Sequence, residues 1–270
     1  MNTLIKTTLA AAIAFTGFSA QAAVDLPDFT VQPDLGTEGS LIGATSPFNA
    51  DRINGSYVET ITFTSATTFE TSLRWTASVF RSDDDTQDVG PATTGLAIDY
   101  GLYALFQSSG TWFTDGTGDH FNFSPGGVFN FYYDNANDTE FSNPVNGLVN
   151  HNTVNDGDDE LLITGSLFGA PLSAGNQAPG GGQNEGSFGT VGPISLTAIG
   201  ETFFTAPDPF YNIALTSGDF TRFTPAVGAT IHNITGKLSV DFQPVAEPEL
   251  LSLLGISLLG LGFTRRKKAS

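Results

Sequence analysis

Between residues 24 and 245 no window of this chain carries apolar residues at helical spacing, whereas several carry them at every second position. That period belongs to a strand with one buried face and one wet face. Leu73, Trp75, Ala77 and Val79 alternate with Ser72, Arg74, Thr76 and Ser78. Ile234, Leu238, Val240 and Phe242 share a face opposite Thr235, Lys237, Ser239 and Asp241. Tyr57 to Thr64, Asp99 to Gln107, Val128 to Tyr133, Leu161 to Phe168 and Phe210 to Thr216 read as further strands. Composition agrees, with 23 Phe, 31 Gly and few Lys, Glu or Arg to build helices. Turn chemistry separates the runs at Asn54-Gly55, Ser124-Pro125-Gly126-Gly127 and Asp156-Gly157. The Gly/Asn/Pro-rich stretch Ala174 to Gly189 reads as a long exposed loop. No repeat of about 20–50 residues is present, which argues against a solenoid or propeller. The expected body is all-β, an antiparallel β-sandwich of jelly-roll type. Two small sandwiches split near the Ala174–Gly189 stretch are the competing arrangement.

The two ends differ from the body. Lys6, the apolar stretch Leu9 to Phe18 and the small-x-small triplet Ala20-Gln21-Ala22 follow the order of a secretory signal, with cleavage expected before Ala23. Such a signal implies passage through the Sec translocon and removal by signal peptidase. At the far end, Leu250 to Phe263 is apolar all round and is followed by Arg265, Arg266, Lys267 and Lys268. This run is shorter than the ~20 residues of a comfortable membrane span, so it reads as a short transmembrane helix. The basic cluster would stay cytoplasmic and leave the body outside. The expected organisation is a signal helix at 1–22, an exported all-β domain at 23–244 and a tail at 245–270.

Asp and Glu number 28 against 10 Lys and Arg. Lys6 and the terminal cluster hold half of those cations, leaving Arg52, Arg74, Arg81, Arg222 and Lys237 for the body. A body this acidic repels nucleic acid and anionic lipid surfaces, attracts divalent cations and suits a hydrated polymer matrix. With no cysteine in the chain, thiol catalysis, zinc-thiolate sites and iron–sulfur clusters are excluded.

Acidic loops are the first candidates for chemistry. Asp83-Asp84-Asp85, the group Asp134 to Glu140, and above all Asp156, Asp158, Asp159 and Glu160 supply oxygen ligands of the kind calcium takes, about six to eight per ion. None has EF-hand or repeat spacing, and solvated turn residues are the competing reading. A glycosidase would need two carboxylates about 5–10 Å apart across a sugar, and any chain this acidic offers pairs by chance. His120, His151 and His232 are scattered without metal-ligand spacing. No Gly-x-Ser-x-Gly elbow supports a serine triad, and Gly180-Gly181-Gly182 lacks the residues of a phosphate loop. Among the aromatics, alternation puts Trp75 in the core, whereas Trp112, near Asp115-Gly116, is the candidate for stacking on a sugar.

Ala246-Glu247-Pro248, a short glycine-bearing apolar helix, a basic cluster and the chain end form a three-part tail. This tail resembles the PEP-CTERM sorting signal, with Ala246 where the motif carries its first proline. The resemblance extends into the body through Asp25-Leu26-Pro27-Asp28-Phe29, Tyr57-Val58-Glu59-Thr60, Asp99 to Phe106, Ser124 to Gly127, Ser187-Phe188-Gly189 and Pro209-Phe210-Tyr211. These segments are similar to those of flocculation-associated PEP-CTERM proteins. That likeness implies a Gram-negative host that makes extracellular polysaccharide. It implies transient inner-membrane anchoring and processing by an exosortase, a membrane-embedded cysteine enzyme. It implies no catalytic residues. The expected function is therefore non-enzymatic: a surface or matrix protein that promotes flocculation or biofilm with exopolysaccharide. A secreted carbohydrate-binding module and a glycan-active hydrolase are the rival readings.

Overall fold

The computed structural model describes residues 26–35, 46–168, 174–177 and 186–243. The signal segment with Ala20, Ala22 and Ala23 lies outside the described residues, as does the tail with Ala246, Glu247, Pro248, Arg265, Arg266, Lys267 and Lys268.

The first strands, β1 (Phe29–Val31) and β2 (Phe48–Ala50), are short. The long β3 (Arg52–Phe63) and β4 (Thr68–Ser82) form a hairpin, followed by β5 (Gln87–Val89) and a single helical turn, α1 (Pro91–Thr94). Next come β6 (Gly101–Asp115), β7 (Gly118–Phe123) and β8 (Gly127–Asp134), then a small hairpin of β9 (Glu140–Ser142) and β10 (Asn152–Val154). β11 (Glu160–Phe168), β12 (Ala174–Gln177), β13 (Gly186–Gly192) and β14 (Ile194–Leu196) precede α2 (Ala198–Phe203) and β15 (Phe204–Ala206). β16 (Asn212–Phe220) and β17 (Thr230–Gln243) end the described chain.

All strand pairings are antiparallel, and they return to their start: β17–β3–β4–β6–β7–β12–β13–β16–β17. β6 is the branch point. Its first half, Gly101 to Gln107, pairs with β8, and its second half, Gly110 to Asp115, pairs with β7. From β8 the sheet continues to β11 and β14. The expected sandwich is corrected by this pairing: the walls are one hydrogen-bonded sheet, not two sheets joined by packing alone. At 15 residues each, β4 and β6 are long enough to serve different partners along their lengths. Closure also removes open edges from most of the sheet.

Three local expectations change for identifiable reasons. Asn54-Gly55 is not a turn but lies inside β3, where a Cβ on Gly55 would come within 2.3 Å of Trp75 Nε1 and of the Thr76 carbonyl oxygen. Glycine is there because a large side chain and a backbone approach it closely. Ala174 to Gly189 is not wholly loop, since β12 and the start of β13 pair within it. The alternation in β4 also breaks. The register slips between Asn54 and Gly55, an extra residue enters β4, and Phe80 turns inward in place of Val79.

One aromatic cluster fills the interior. Phe63, Phe69, Trp75, Phe80, Phe129, Phe131 and Phe242 are each no more than 1 % exposed. Phe69 meets Phe121 edge-on at 5.6 Å and 88°, the geometry that ring quadrupoles favour. Trp75 donates its indole N–H to the Leu238 carbonyl at 3.0 Å, so its polar atom is satisfied inside the core. Antiparallel β15, β1 and β2 bring Phe29, Val31, Phe48, Ala50 and Phe204 into the same cluster. The two ends of the described chain meet here. Phe29 packs on Phe242 at 4.8 Å, and the Leu26 amide donates to Asp84 at 3.0 Å.

Candidate functional site

Strand register assembles a surface that no short motif announces. Phe129, Phe131 and Ile163 point into the core, so their neighbours Val128, Asn130 and Thr164 point out. Pairing places Asn130 opposite Thr164, and Thr164 opposite Ser195, in one outward row. Gln107 and Val128 stand opposite each other in the next row. These rows line a hollow of about 380 Å³ with Pro193 and Ile194. A second hollow of about 200 Å³, bounded by Gln107, Gly126, Gly147 and Leu148, adjoins it through Val128. Together they form a trough across β6, β8, β11 and β14. Its surface is made of amide, hydroxyl and aliphatic groups. No charged side chain lines either hollow among the described residues.

A strap built from residues 135–159 walls one side. Gln107 Nε2 donates to the Leu148 carbonyl at 2.6 Å, and the Gly147 amide donates to Thr62 Oγ1 at 3.0 Å. Gly147 lies so close that a Cβ would sit 2.1 Å from the Glu70 carbonyl oxygen. His151 anchors the strap from beneath, with Nε2 at 3.4 Å from the Ser72 carbonyl and only 3 % of the residue exposed. Burial, with the Arg74 guanidinium nearby, pushes its pKa down to about 4. The strap also rests on aromatic rings. Tyr132 stacks on Tyr103 at 4.8 Å and 13°, and Phe141 meets Tyr103 edge-on at 5.0 Å. The Arg74 guanidinium lies over the Phe141 ring at 4.8 Å.

The acidic loop singled out in the sequence serves this same strap. Asp156 accepts from Thr153 Oγ1 at 2.6 Å, the Asp158 carbonyl accepts from Asn135 Nδ2 at 2.6 Å, and Glu160 opens β11 opposite Tyr133. Asp159 accepts from the Tyr103 hydroxyl at 2.6 Å and from Thr139 Oγ1 at 2.9 Å. Burial raises the Asp159 pKa, and the same burial with the carboxylate alongside raises that of Tyr103. Among the described residues no group of three or more His, Asp or Glu gathers as a metal-holding set. Asp83, Asp84 and Asp85 form a left-handed turn with φ of 54°, 55° and 61°, a conformation aspartate tolerates. Asp85 pairs with Arg52 and Arg81, and Arg52 also bridges to Asp241.

Trp112 does not join the trough. It sits in the second half of β6, packs edge-on against Phe63 at 5.0 Å and donates its indole N–H to the Ser65 carbonyl at 3.3 Å. Its neighbour Phe113 is the exposed ring, 47 % accessible and stacked on His120 at 4.7 Å. Glu59 was not singled out for its chemistry. It follows Ile53, Tyr57 and precedes Ile61 on the inward face of β3, where it accepts a hydrogen bond from Thr71 Oγ1. Its side chain keeps some accessible surface, yet protein surrounds it, and that desolvation raises its pKa to about 7.

A third hollow, about 430 Å³, opens on the inner side of β14 against the segment 204–210 and shares Ile194 with the trough. Ile194, Leu196, Phe204 and Phe210 give it apolar walls, and Glu201 and Asp208 bring carboxylates to it.

Fold and site together define a closed antiparallel β-protein with an aromatic core and an uncharged trough on its outer face. Comparison with known protein families, with characterised proteins and with solved structures gives no match.

Proposed function

We propose that this chain is an exported, non-enzymatic matrix protein that holds extracellular polysaccharide in the trough across β6, β8, β11 and β14. The observation that carries this reading is the trough itself. It is an elongated surface of Asn130, Thr164, Ser195 and Gln107 with aliphatic shelves, uncharged in a chain of net charge −18. Neutral amides and hydroxyls exchange hydrogen bonds with sugar hydroxyls, and Val128 and Leu148, 46 % and 62 % exposed, offer contact to the apolar faces of sugar rings. The sequence at either end supports export through the Sec translocon, transient inner-membrane anchoring and exosortase processing near Ala246-Glu247-Pro248. The acidic loops add a route to cation bridging between copies and polymer, calcium included.

Binding of the host's matrix polysaccharide by the purified protein, measured by calorimetry, tests the trough. Replacing Asn130 and Thr164 together by alanine should weaken it about tenfold, at ~1 kcal/mol or less per hydrogen bond. Unchanged binding in that variant sinks the assignment of the site. In the host, loss of the protein should reduce cell aggregation while polysaccharide synthesis continues. Normal flocculation in the deletion strain overturns the matrix role.

A further inference from the structure

We infer that the hollow on the inner side of β14 is a subsite for ammonium groups, so that the polymer held in the trough carries unacylated amino sugars. This inference rests on the trough reading and extends it around the edge of the sheet. β14 is three residues long and has β11 as its hydrogen-bonded neighbour, so its two sides are separated by the width of one short strand. On the outer side lies Ser195 in the neutral trough, and on the inner side lies the 430 Å³ hollow. Ile194 borders both. A chain-like ligand that fills the first therefore reaches the second without leaving the surface.

The chemistry of the two spaces differs. The hollow is in the size range of small-ligand sites, about 300–1,000 Å³. Ile194, Leu196, Phe204 and Phe210 give it apolar patches within a largely polar lining, and among the described residues its charged lining groups are Glu201 and Asp208. Both residues are exposed, and neither forms a salt bridge among the described residues. Three of the described cations are engaged elsewhere: Arg52 and Arg81 with Asp85, Asp88 and Asp241, and Arg74 over Phe141. Two carboxylates beside apolar patches fit a cation carried on a compact organic ring, and they disfavour anionic sugars. A metal ion, by contrast, gains nothing from the Phe204 and Phe210 walls.

The test compares a β-1,4-linked glucosamine hexamer with its fully N-acetylated counterpart, titrated calorimetrically into the purified protein at about 0.15 M salt. The glucosamine hexamer should bind at least tenfold more tightly. Glu201→Gln with Asp208→Asn should erase that preference. Asp115→Asn with Asp119→Asn, which removes the same charge beside the β6–β7 turn, where no residue lines any of the three hollows, should keep it. Thermal melts of both double variants report whether the fold is retained. Equal binding of the two hexamers, or a preference that survives Glu201→Gln/Asp208→Asn, overturns the inference. If the two hexamers bind equally and both lose affinity in the Asn130→Ala/Thr164→Ala variant, the trough reading stands while the ammonium subsite falls. Binding of neither hexamer overturns the subsite outright. Tighter binding of a lysine hexapeptide than of the glucosamine hexamer, with the same dependence on Glu201 and Asp208, reassigns the hollow to basic peptides and overturns the amino-sugar class.

Discussion

Thr71 and Ser72 are neighbours in β4, yet they face different worlds. Thr71 looks inward and donates its hydroxyl to Glu59, within the aromatic-packed interior. Ser72 looks outward and lies beneath the strap, where its carbonyl meets His151 and its own Oγ has no partner among the described residues. The inner region is held by large rings whose packing leaves little latitude. The outer region is held by a strap whose grip depends on a few polar contacts and one buried imidazole. One strand thus separates a rigid core from a surface whose shape is conditional, and the trough takes its wall from the conditional side.

The contrast breaks most visibly at Trp75. Replacing it with alanine removes a 1 %-exposed ring and its hydrogen bond to Leu238, for an expected loss of about 3–5 kcal/mol in urea unfolding. Gly55→Ala attacks the same contact from the other side, because the new methyl group would lie 2.3 Å from Trp75 Nε1. It should cost about 1–3 kcal/mol. Wild-type stability in either variant would show that the interior adapts far more than its packing suggests.

Two titratable groups of the interior, Glu59 and His151, should respond to pH with opposite signs. The Glu59 carboxyl is raised in the fold, from 4.5 to about 7, so the folded state keeps a proton the unfolded chain gives up. Its contribution is fully present below about pH 4.5 and is lost as pH rises through 7, an effect of about 2 kcal/mol once its accessible surface is allowed for. His151 is the reverse, lowered from 6.5 to about 4 because the neutral ring is what the strap buries. Its contribution is present above about pH 6.5 and is lost as pH falls toward 4, by about 3 kcal/mol. Unfolding free energies from pH 4 to 8 should therefore lose their high-pH decline in Glu59→Gln and their acid-side decline in His151→Gln. A wild-type slope persisting in either variant would remove that group from the account. Hydrogen exchange sharpens the distinction. On acidification residues 143–151 should exchange faster while β3 and β4 stay protected.

Much of this architecture is legible in the sequence, but only at the level of single strands. The faces of Ile234, Leu238, Val240 and Phe242 and of Leu73 and Trp75 follow from alternation and are the buried faces found. What alternation cannot carry is register. Phe80 replaces Val79 inside because one extra residue enters β4, and Gly55 answers to a tryptophan twenty positions later. Closure through β4 and β6 is likewise a long-range pairing without local trace. The trough was invisible for the same reason. Asn130, Thr164 and Ser195 are ordinary outward polar residues on separate strands, and pairing alone makes them a row. The acidic loop drew notice by composition, yet Asp156 and Asp159 are occupied with Thr153, Tyr103 and Thr139 in fastening the strap.

The smallest expected effect tests whether that fastening matters to the trough. Tyr103→Phe deletes the hydroxyl that donates to Asp159 at 2.6 Å but leaves the ring to stack on Tyr132. Asp159 keeps Thr139 as a donor, so the global cost should stay near 1 kcal/mol, the net worth of one hydrogen bond. If the wall of the trough is held by the strap, polymer affinity should fall about two- to fivefold, although Tyr103 lines neither hollow. Asn130 stands two residues from Tyr132 on the outward face of β8, next to the stack, so a double-mutant cycle between Tyr103→Phe and Asn130→Ala should show coupling. Strict additivity would mean that strap and trough are independent, and that the sheet alone shapes the binding face.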